Sequence, residues 1–192
     1  MNKVFVISDL HFGHNNMAIR RGFSSIKSHD DFIIESWNKV VSNNDTVYIL
    51  GDITHEKSAY YTQLDKLKGV KKVVLGNHDL SRHVPELLKH VNSVCGMVLY
   101  KGFILTHCPI SKTQFGRYKY NVHGHIHQNI IEDYSYINVS CEAINYTPIL
   151  FTELIKFNNK KIKHLKSFSY KIKSFFNLID IKRSDRNWKW FK

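Results

Sequence analysis

Seven side chains able to bind a metal stand along this chain in the order Asp9, His11, Asp52, Asn77, His107, His125 and His127. They fall in five short segments: Asp9-Leu10-His11, Gly51-Asp52, Gly76-Asn77-His78-Asp79, Thr106-His107-Cys108-Pro109 and His123-Gly124-His125-Ile126-His127. Carboxylate and amide oxygens mixed with imidazole nitrogens, without thiolate, suit manganese, iron, zinc or cobalt better than calcium or a structural zinc. Seven ligands exceed what one ion takes. They fit two ions that share a carboxylate and sit roughly 3.5–4 Å apart. Such a pair makes hydroxide from a bridging water near neutral pH and clamps both oxygens of an in-line phosphoryl displacement. Taken singly, Asp-x-His or Gly-Asp is a weak signal. Gly-Asn-His-Asp is stronger, because three polar side chains crowd a position where a simple turn would do, and His125 and His127 at i and i+2 point to one side of an extended segment.

Most of these segments follow a short apolar run: Val4-Phe5-Val6-Ile7, Val47-Tyr48-Ile49-Leu50, Val73-Val74-Leu75 and Phe103-Ile104-Leu105. Such runs, bounded by turn residues, read as buried strands. The ligands therefore gather at the carboxyl ends of strands, where open α/β sheets place their sites. Residues 11–30 hold few apolar side chains and read as a loop over the first strand end, with Asp30 or Asp31 capping the next helix. In that helix Phe32, Ile33, Trp37 and Val40-Val41 recur at helical spacing. A second helix is expected near residues 58–68, closed by Gly69, before a strand at Lys71–Leu75. Strands alternating with helices imply right-handed crossovers and a mainly parallel sheet. Further on, a short helix near residues 84–90 precedes strands at Val94–Tyr100 and Phe103–Leu105, joined at Lys101-Gly102 as a hairpin. Tyr118–Val122 and Tyr136–Val139 complete the strands. Parallel units followed by hairpins predict two packed sheets with helices outside.

Of the 192 residues, 43% are hydrophobic and 23% charged, as in ordinary soluble globular domains. No stretch approaches the ~18 apolar residues of a membrane span. Met1-Asn2-Lys3 runs at once into a strand, which leaves no room for a signal peptide. Cys95, Cys108 and Cys141 are odd in number and contain no Cys-x-x-Cys pair, which fits a reducing interior and a cytoplasmic location. The charge is uneven. Residues 156–192 carry twelve Lys and Arg against only Asp180 and Asp185, and so hold ten of the net +12. Phe168, Ile172, Phe175-Phe176 and Ile179 fit a helical stripe there, and Trp188, Trp190 and Phe191 are expected to dock. A nucleic-acid arm, an interfacial membrane helix, a partner-docking element and an amphipathic helix with solvated lysines all fit this tail.

At these motifs the chain resembles the calcineurin-like metallophosphoesterases, in particular the small stand-alone bacterial and phage members that begin Asp-Leu-His-Phe-Gly-His, here residues 9–14. The resemblance covers residues 1–155, with 156–192 as a basic C-terminal extension. It implies an α/β, four-layer α/β-β/α sandwich of two mixed sheets flanked by helices. It also implies a hydrolase with a dinuclear centre, using two divalent ions: manganese, or iron, zinc, cobalt or nickel. One ion would be held by Asp9, His11 and His127 and the other by Asn77, His107 and His125, with Asp52 bridging. His78 would be the catalytic imidazole and Asp79 would orient it. Chemically, an imidazolium beside such a centre can stabilise developing charge and protonate a leaving oxygen, and a neighbouring carboxylate can fix its tautomer. The alternative for Asp79 is a helix N-cap near Leu80.

Two departures from the family pattern stand out. The stretch from His11 to Gly51 is longer than usual, so residues 12–30 are expected to fold over the site. No large insertion follows the hairpins, so the capping domain of the DNA-processing members is missing. His14, Arg82 and Arg117 are candidate substrate contacts, with a solvated surface role as the alternative for each. His123 reads as a support for the ligands, and His29, His83, His90 and His164 give no signal. The expected substrate is a phosphate ester, a phosphodiester or nucleotide being favoured. The alternatives are a non-catalytic scaffold of the same fold, or an enzyme acting on nucleic-acid ends guided by the basic tail.

Overall fold

The computed structural model describes residues 2–55, 60–165 and 167. Three of the short apolar runs fall in the parallel strands β1 (Val4–Ile7), β2 (Thr46–Ile49) and β3 (Val70–Val74), which β4 (Ser93–Cys95) joins in parallel. With β9 (Ile149–Leu150), antiparallel to β1, they form a five-stranded sheet in the order β4-β3-β2-β1-β9. The second sheet runs β5 (Val98–Tyr100), β6 (Phe103–Leu105), β7 (Tyr120–His123), β8 (Tyr136–Asn138). Both sheets are mixed and helices flank them, as expected.

The core joins both sheets and the helices packed on them. Val6, Ile7, Val47 and Ile49 from one sheet and Leu105, Val122 and Ile137 from the other belong to one buried cluster. The two sheets also meet at their carboxyl ends: Ser8 and Ser140 form a bridge, Ser8 N–H donating to the Val139 carbonyl at 2.9 Å. That junction brings the strand ends of both sheets to one place.

Several elements differ from the sequence expectation. Residues 94–100 are not one strand. The chain changes sheets at Gly96-Met97, so β4 pairs parallel with β3 while β5 pairs antiparallel with β6. Among the described residues, only the β5–β6 pair is a hairpin; β6, β7 and β8 run parallel. Residues 11–30 are largely helical: α1 (Asn15–Arg20) precedes α2 (Ile26–Val40). Ser25, not Asp30 or Asp31, caps α2, accepting from Ser28 N–H in a reciprocal capping box. Of the expected apolar stripe, Ile33, Trp37 and Val41 are buried while Phe32 and Val40 are exposed, and Trp37 on α2 also donates its indole N–H to the Lys68 carbonyl at 2.9 Å. Where a helix near 58–68 was expected there is a short 3-10 helix at Tyr61–Lys66, and residues 56–59 lie outside the described set. The short helix after the Gly-Asn-His-Asp segment is α3 (Val84–Leu87).

Residues 154–165 form a further helix, α4, whose Leu154 and Ile162 are buried and whose Asn158 donates to the Tyr134 carbonyl at 3.0 Å. The expected stripe from Phe168 onward and the closing Trp188, Trp190 and Phe191 lie outside the described residues. Among the described residues, no helix is long and apolar enough to cross a membrane.

Candidate metal centre

The backbone itself marks the site. Among the described residues, eight non-glycine positions have positive φ, and five are expected ligands: Asp9 (61°), His11 (51°), Asp52 (53°), His125 (68°) and His127 (51°). Each left-handed L-residue costs on the order of 1–3 kcal/mol and persists only where its surroundings over-determine it. Each of these residues lies just past a strand end. An abrupt left-handed turn there stops the side-chain alternation of the strand and aims the side chain at the junction between the sheets.

The expected ligands converge on that junction. His107 Nε2 lies 2.9 Å from Asn77 Oδ1 and 3.3 Å from Asp52 Oδ2. His11 Nε2 is 3.8 Å from Asp52 Oδ2 and 4.0 Å from Asp9 Oδ1. The His11 ring stacks on His127 at 5.5 Å between centroids, and His107 meets His125 edge-on at 5.1 Å. The ligand atoms of Asp9, His11 and His127 lie within 4.8 Å of one another, as do those of Asp9, Asp52 and His107. So do those of His107, Cys108 and His125, which brings in the exposed Cys108 thiol that the sequence reading had left out of the donor set.

Does this arrangement fit a cation? Both ring nitrogens of His11 are buried without a hydrogen-bond partner, a state that is costly unless something else binds them. Burial, helped by the nearby Arg21 charge, pushes the His11 pKa well below the usual imidazole value, so the ring is a neutral donor. Burial raises Asp9, the Asp52 charge adding to this, although His107 opposes both. Burial works against the Asp52 carboxylate too, but the His107 hydrogen bond and charge and the His78 amide hold it at about 2. His107 responds in kind: despite burial, the Asp52 bond and charge and then Asp9 lift it to about 9. Two buried carboxylates thus draw positive charge into the junction. Orphaned imidazole nitrogens beside them fit divalent cations.

The rest of the expected site divides. His78 sits at the centre: its amide donates to Asp52 Oδ1 at 2.9 Å, its Nε2 is 3.9 Å from Asp52 Oδ2, and its ring lies 5.4 Å from that of His11. His14 is close, 5.6 Å from His11 ring to ring and 4.5 Å from His55, and it caps α1 through Met17 N–H. Gly13, His14, Asn15, Asn16 and His55 line a recess of about 250 Å³. Arg82 and Arg117 are exposed and contact their chain neighbours, Arg82 Nε at 3.3 Å from His83 Nε2 and Arg117 stacked over Tyr118. The structure shows neither arginine in contact with the expected ligands.

Asp79 makes contacts that the sequence did not foresee. The residue capping the next 3-10 helix is Leu80, so Asp79 is no N-cap. Its carboxylate instead accepts from three backbone amides: Gly76 and Asp52 at 2.8 Å on Oδ2, and Ile53 at 3.0 Å on Oδ1. It ties the loop that carries Asp52 to the loop that carries Asn77 and His78. Glycine makes the close approach possible. A Cβ on Gly76 would collide with the Asp52 carboxylate, and one on Gly124 with Ser8 Oγ and the Asp9 carboxylate.

Sequence reasoning missed most of the supports behind the ligands, His123 excepted. His107 Nδ1 donates to the Leu50 carbonyl at 2.8 Å, and His127 Nδ1 to Glu142 Oε1 at 3.0 Å. Arg21, whose side chain is 1% exposed, bonds Glu142 and the carbonyls of Asp9 and Leu10. His29, which gave no signal in the sequence, is wholly buried beside it. His123 is buried, with Nδ1 against the Gly124 carbonyl at 2.9 Å; burial lowers its pKa to about 4, so it supports the turn as a neutral ring.

This fold and this cluster define a metallophosphoesterase-type α/β domain. Residues 2–189 match the family described as calcineurin-like phosphoesterase, and the chain belongs to that family. Its relatives include the protein MJ1445 of Methanocaldococcus jannaschii, 32% identical over 172 residues that cover 83% of this chain and 93% of the relative. The gene 66 protein of Mycobacterium phage D29 is 28% identical over 165 residues, 68% of this chain and 81% of its own. Among solved structures, the Aquifex aeolicus protein AQ665 superposes with a TM-score of 0.63 at 27% identity, over 81% of this chain and 99% of that one. Members of the family act on phosphoesters and typically bind divalent metals, and this chain carries the clustered donors for them.

Proposed function

We propose that the protein is a dimetal-dependent phosphoesterase that hydrolyses a phosphodiester or nucleotide-type ester without a covalent enzyme intermediate. The observation that carries this reading is the convergence, at one junction of two sheets, of donors from five separate loops, most of them held in left-handed backbone. Asp9, His11 and His127 would hold one ion and Asn77, His107 and His125 the other, with Asp52 between them. When bound, the two cations supply a hydroxide at neutral pH and neutralise the phosphate oxygens. The protein's own residues then do the rest. Asp52 and Asp9 keep the centre anionic enough to retain both charges. His78, 30% exposed and beside Asp52, faces solvent where a substrate enters and protonates the leaving oxygen. His14 and His55, lining the neighbouring recess, orient the substrate's phosphate.

The intact set of eight side chains, seven ligands and His78, speaks for catalysis over a scaffold role, since site residues and not fold argue function. Manganese is the metal we favour, and the cytoplasm the location. We further propose that residues 1–155 form the catalytic domain and 156–192 a basic extension. A nucleic-acid end as substrate draws support from Lys156, Lys160 and Lys163, which are exposed along α4. The test is a substrate panel of mono- and bis-nitrophenyl phosphate, cyclic nucleotides and mononucleotides, assayed with manganese and again after chelation. Metal-dependent release of product is expected. No turnover on any substrate by protein shown to contain two ions would overturn the reading in favour of a scaffold.

A further inference from the structure

We infer that Arg21 and Glu142 are positioning residues that set the metal affinity of the half of the centre formed by Asp9, His11 and His127. The inference rests on the metal-binding reading above and adds to it a device built from the helical segment between His11 and β2. Arg21 is the C-cap residue just past α1, and its guanidinium is buried beneath the Asp9-Leu10-His11 turn. Four of its five N–H donors are used. Nη2 donates to the Asp9 carbonyl at 2.7 Å, Nη1 to the Leu10 carbonyl at 3.1 Å and to His29 Nε2 at 2.9 Å, and Nε to Glu142 Oε1 at 2.9 Å.

The donor sequence fixes every partner's state. Because Arg21 donates to His29 Nε2, the His29 proton is on Nδ1, where it donates to Asp30 Oδ1 at 2.8 Å. Asp30 in turn accepts from the Gly13 amide at 3.1 Å. On the other side, Glu142 accepts the Nδ1 proton of His127, which leaves the Nε2 lone pair of that ring free for an ion. One Arg–Glu pair therefore braces all three donors of this half. Through two main-chain carbonyls it holds the turn in which Asp9 and His11 sit at φ 61° and 51°, and through a carboxylate it fixes the tautomer and angle of His127.

The other half has anchors of its own, and touches this one where the His125 amide donates to the Asp9 carboxylate at 3.0 Å. His107 is fixed by the Leu50 carbonyl, and the Asp52 and Asn77 loops are tied by Asp79. These separate anchors make the inference specific: disturbing Arg21 or Glu142 acts chiefly on one ion and much less on the other. A merely structural role for the pair would weaken both sites together or lower stability alone.

The test is a calorimetric titration of the chelator-stripped protein with manganese chloride, comparing wild type with Glu142→Ala, Glu142→Gln and Arg21→Lys. The two conservative variants keep an acceptor or a charge in place, so that folding survives even if the alanine variant is damaged. The expected result is that one of two binding steps weakens 10–100-fold in Glu142→Ala and Arg21→Lys, the usual effect of removing an outer support of a ligand. The other step should stay within twofold, and Glu142→Gln should recover part of the loss because its amide oxygen still accepts from His127. Equal weakening of both steps, or no change in either alongside a lower melting temperature, would overturn the inference. If wild type shows a single binding step, the two-ion reading fails instead. The inference is then judged on that step, supported by a 10–100-fold loss and refuted by none.

Discussion

Asp79→Asn separates two accounts of one carboxylate. If Asp79 oriented His78, the substitution would slow turnover in a leaving-group-dependent way and leave the fold untouched. The structure shows three amide hydrogen bonds at 2.8–3.0 Å to a side chain that is only 5% exposed. An asparagine can turn its carbonyl toward Gly76 and Asp52 and keep two of them as weaker, uncharged bonds. Its NH2 then faces the Ile53 amide, donor against donor. Hydrogen bonds to charged groups contribute about 1.5–3 kcal/mol and neutral ones about 0.5–1.5 kcal/mol, so one lost and two weakened bonds amount to roughly 3.5–6 kcal/mol. For a chain of this size each kcal/mol moves Tm by about 2–4 °C, which gives a fall of roughly 7–24 °C. Alanine would leave three buried amides unpaired and come close to unfolding the domain, so asparagine is the informative change. Melting is to be followed by circular dichroism in chelator, so that metal loss does not contribute. An unchanged Tm, with kcat reduced mainly for alkoxide leaving groups, would refute the account of Asp79 as a tie between loops.

Two further outcomes follow from the same geometry. His78→Ala should retain both ions and lower turnover by roughly 10²–10⁴, most for alkoxide leaving groups and least for nitrophenolate, as steady-state kinetics on paired substrates would show; equal losses for both would leave His78 as a charge clamp and remove it as the acid. Gly124→Ala drives a methyl into Ser8 and the Asp9 carboxylate and should cost metal binding measured by elemental analysis, whereas Gly102→Ala, with no atom within 4 Å of the added Cβ, should leave metal content unchanged.

Much of the site was legible because metal-binding chemistry limits the residue types that can serve it. Asp, Asn and His after short apolar runs, in five segments, pointed to one junction, and the structure brings all seven together with His78. Fold class was legible for a similar reason: buried strands need unbroken apolar runs and helices need a 3.6-residue stripe, so Val4–Ile7 and the Ile33–Trp37 face announced themselves locally. What a strand pairs with is not a local property. Nothing within residues 94–100 says that the chain leaves one sheet at Gly96-Met97 and enters the other, because that choice rests on β3 and β6 as neighbours. The role of Asp79 was hidden in the same way, its partners Asp52 and Ile53 being more than 25 positions away. Arg21 and Glu142 are 121 positions apart and meet only because the carboxyl ends of β1 and β8 are joined at Ser8 and Ser140. The sequence by itself determined which atoms could hold metal and which segments had to be buried. The tertiary structure alone decided which buried charges brace those atoms, because a guanidinium can be desolvated only where folding has already gathered the carbonyls and carboxylate that satisfy it.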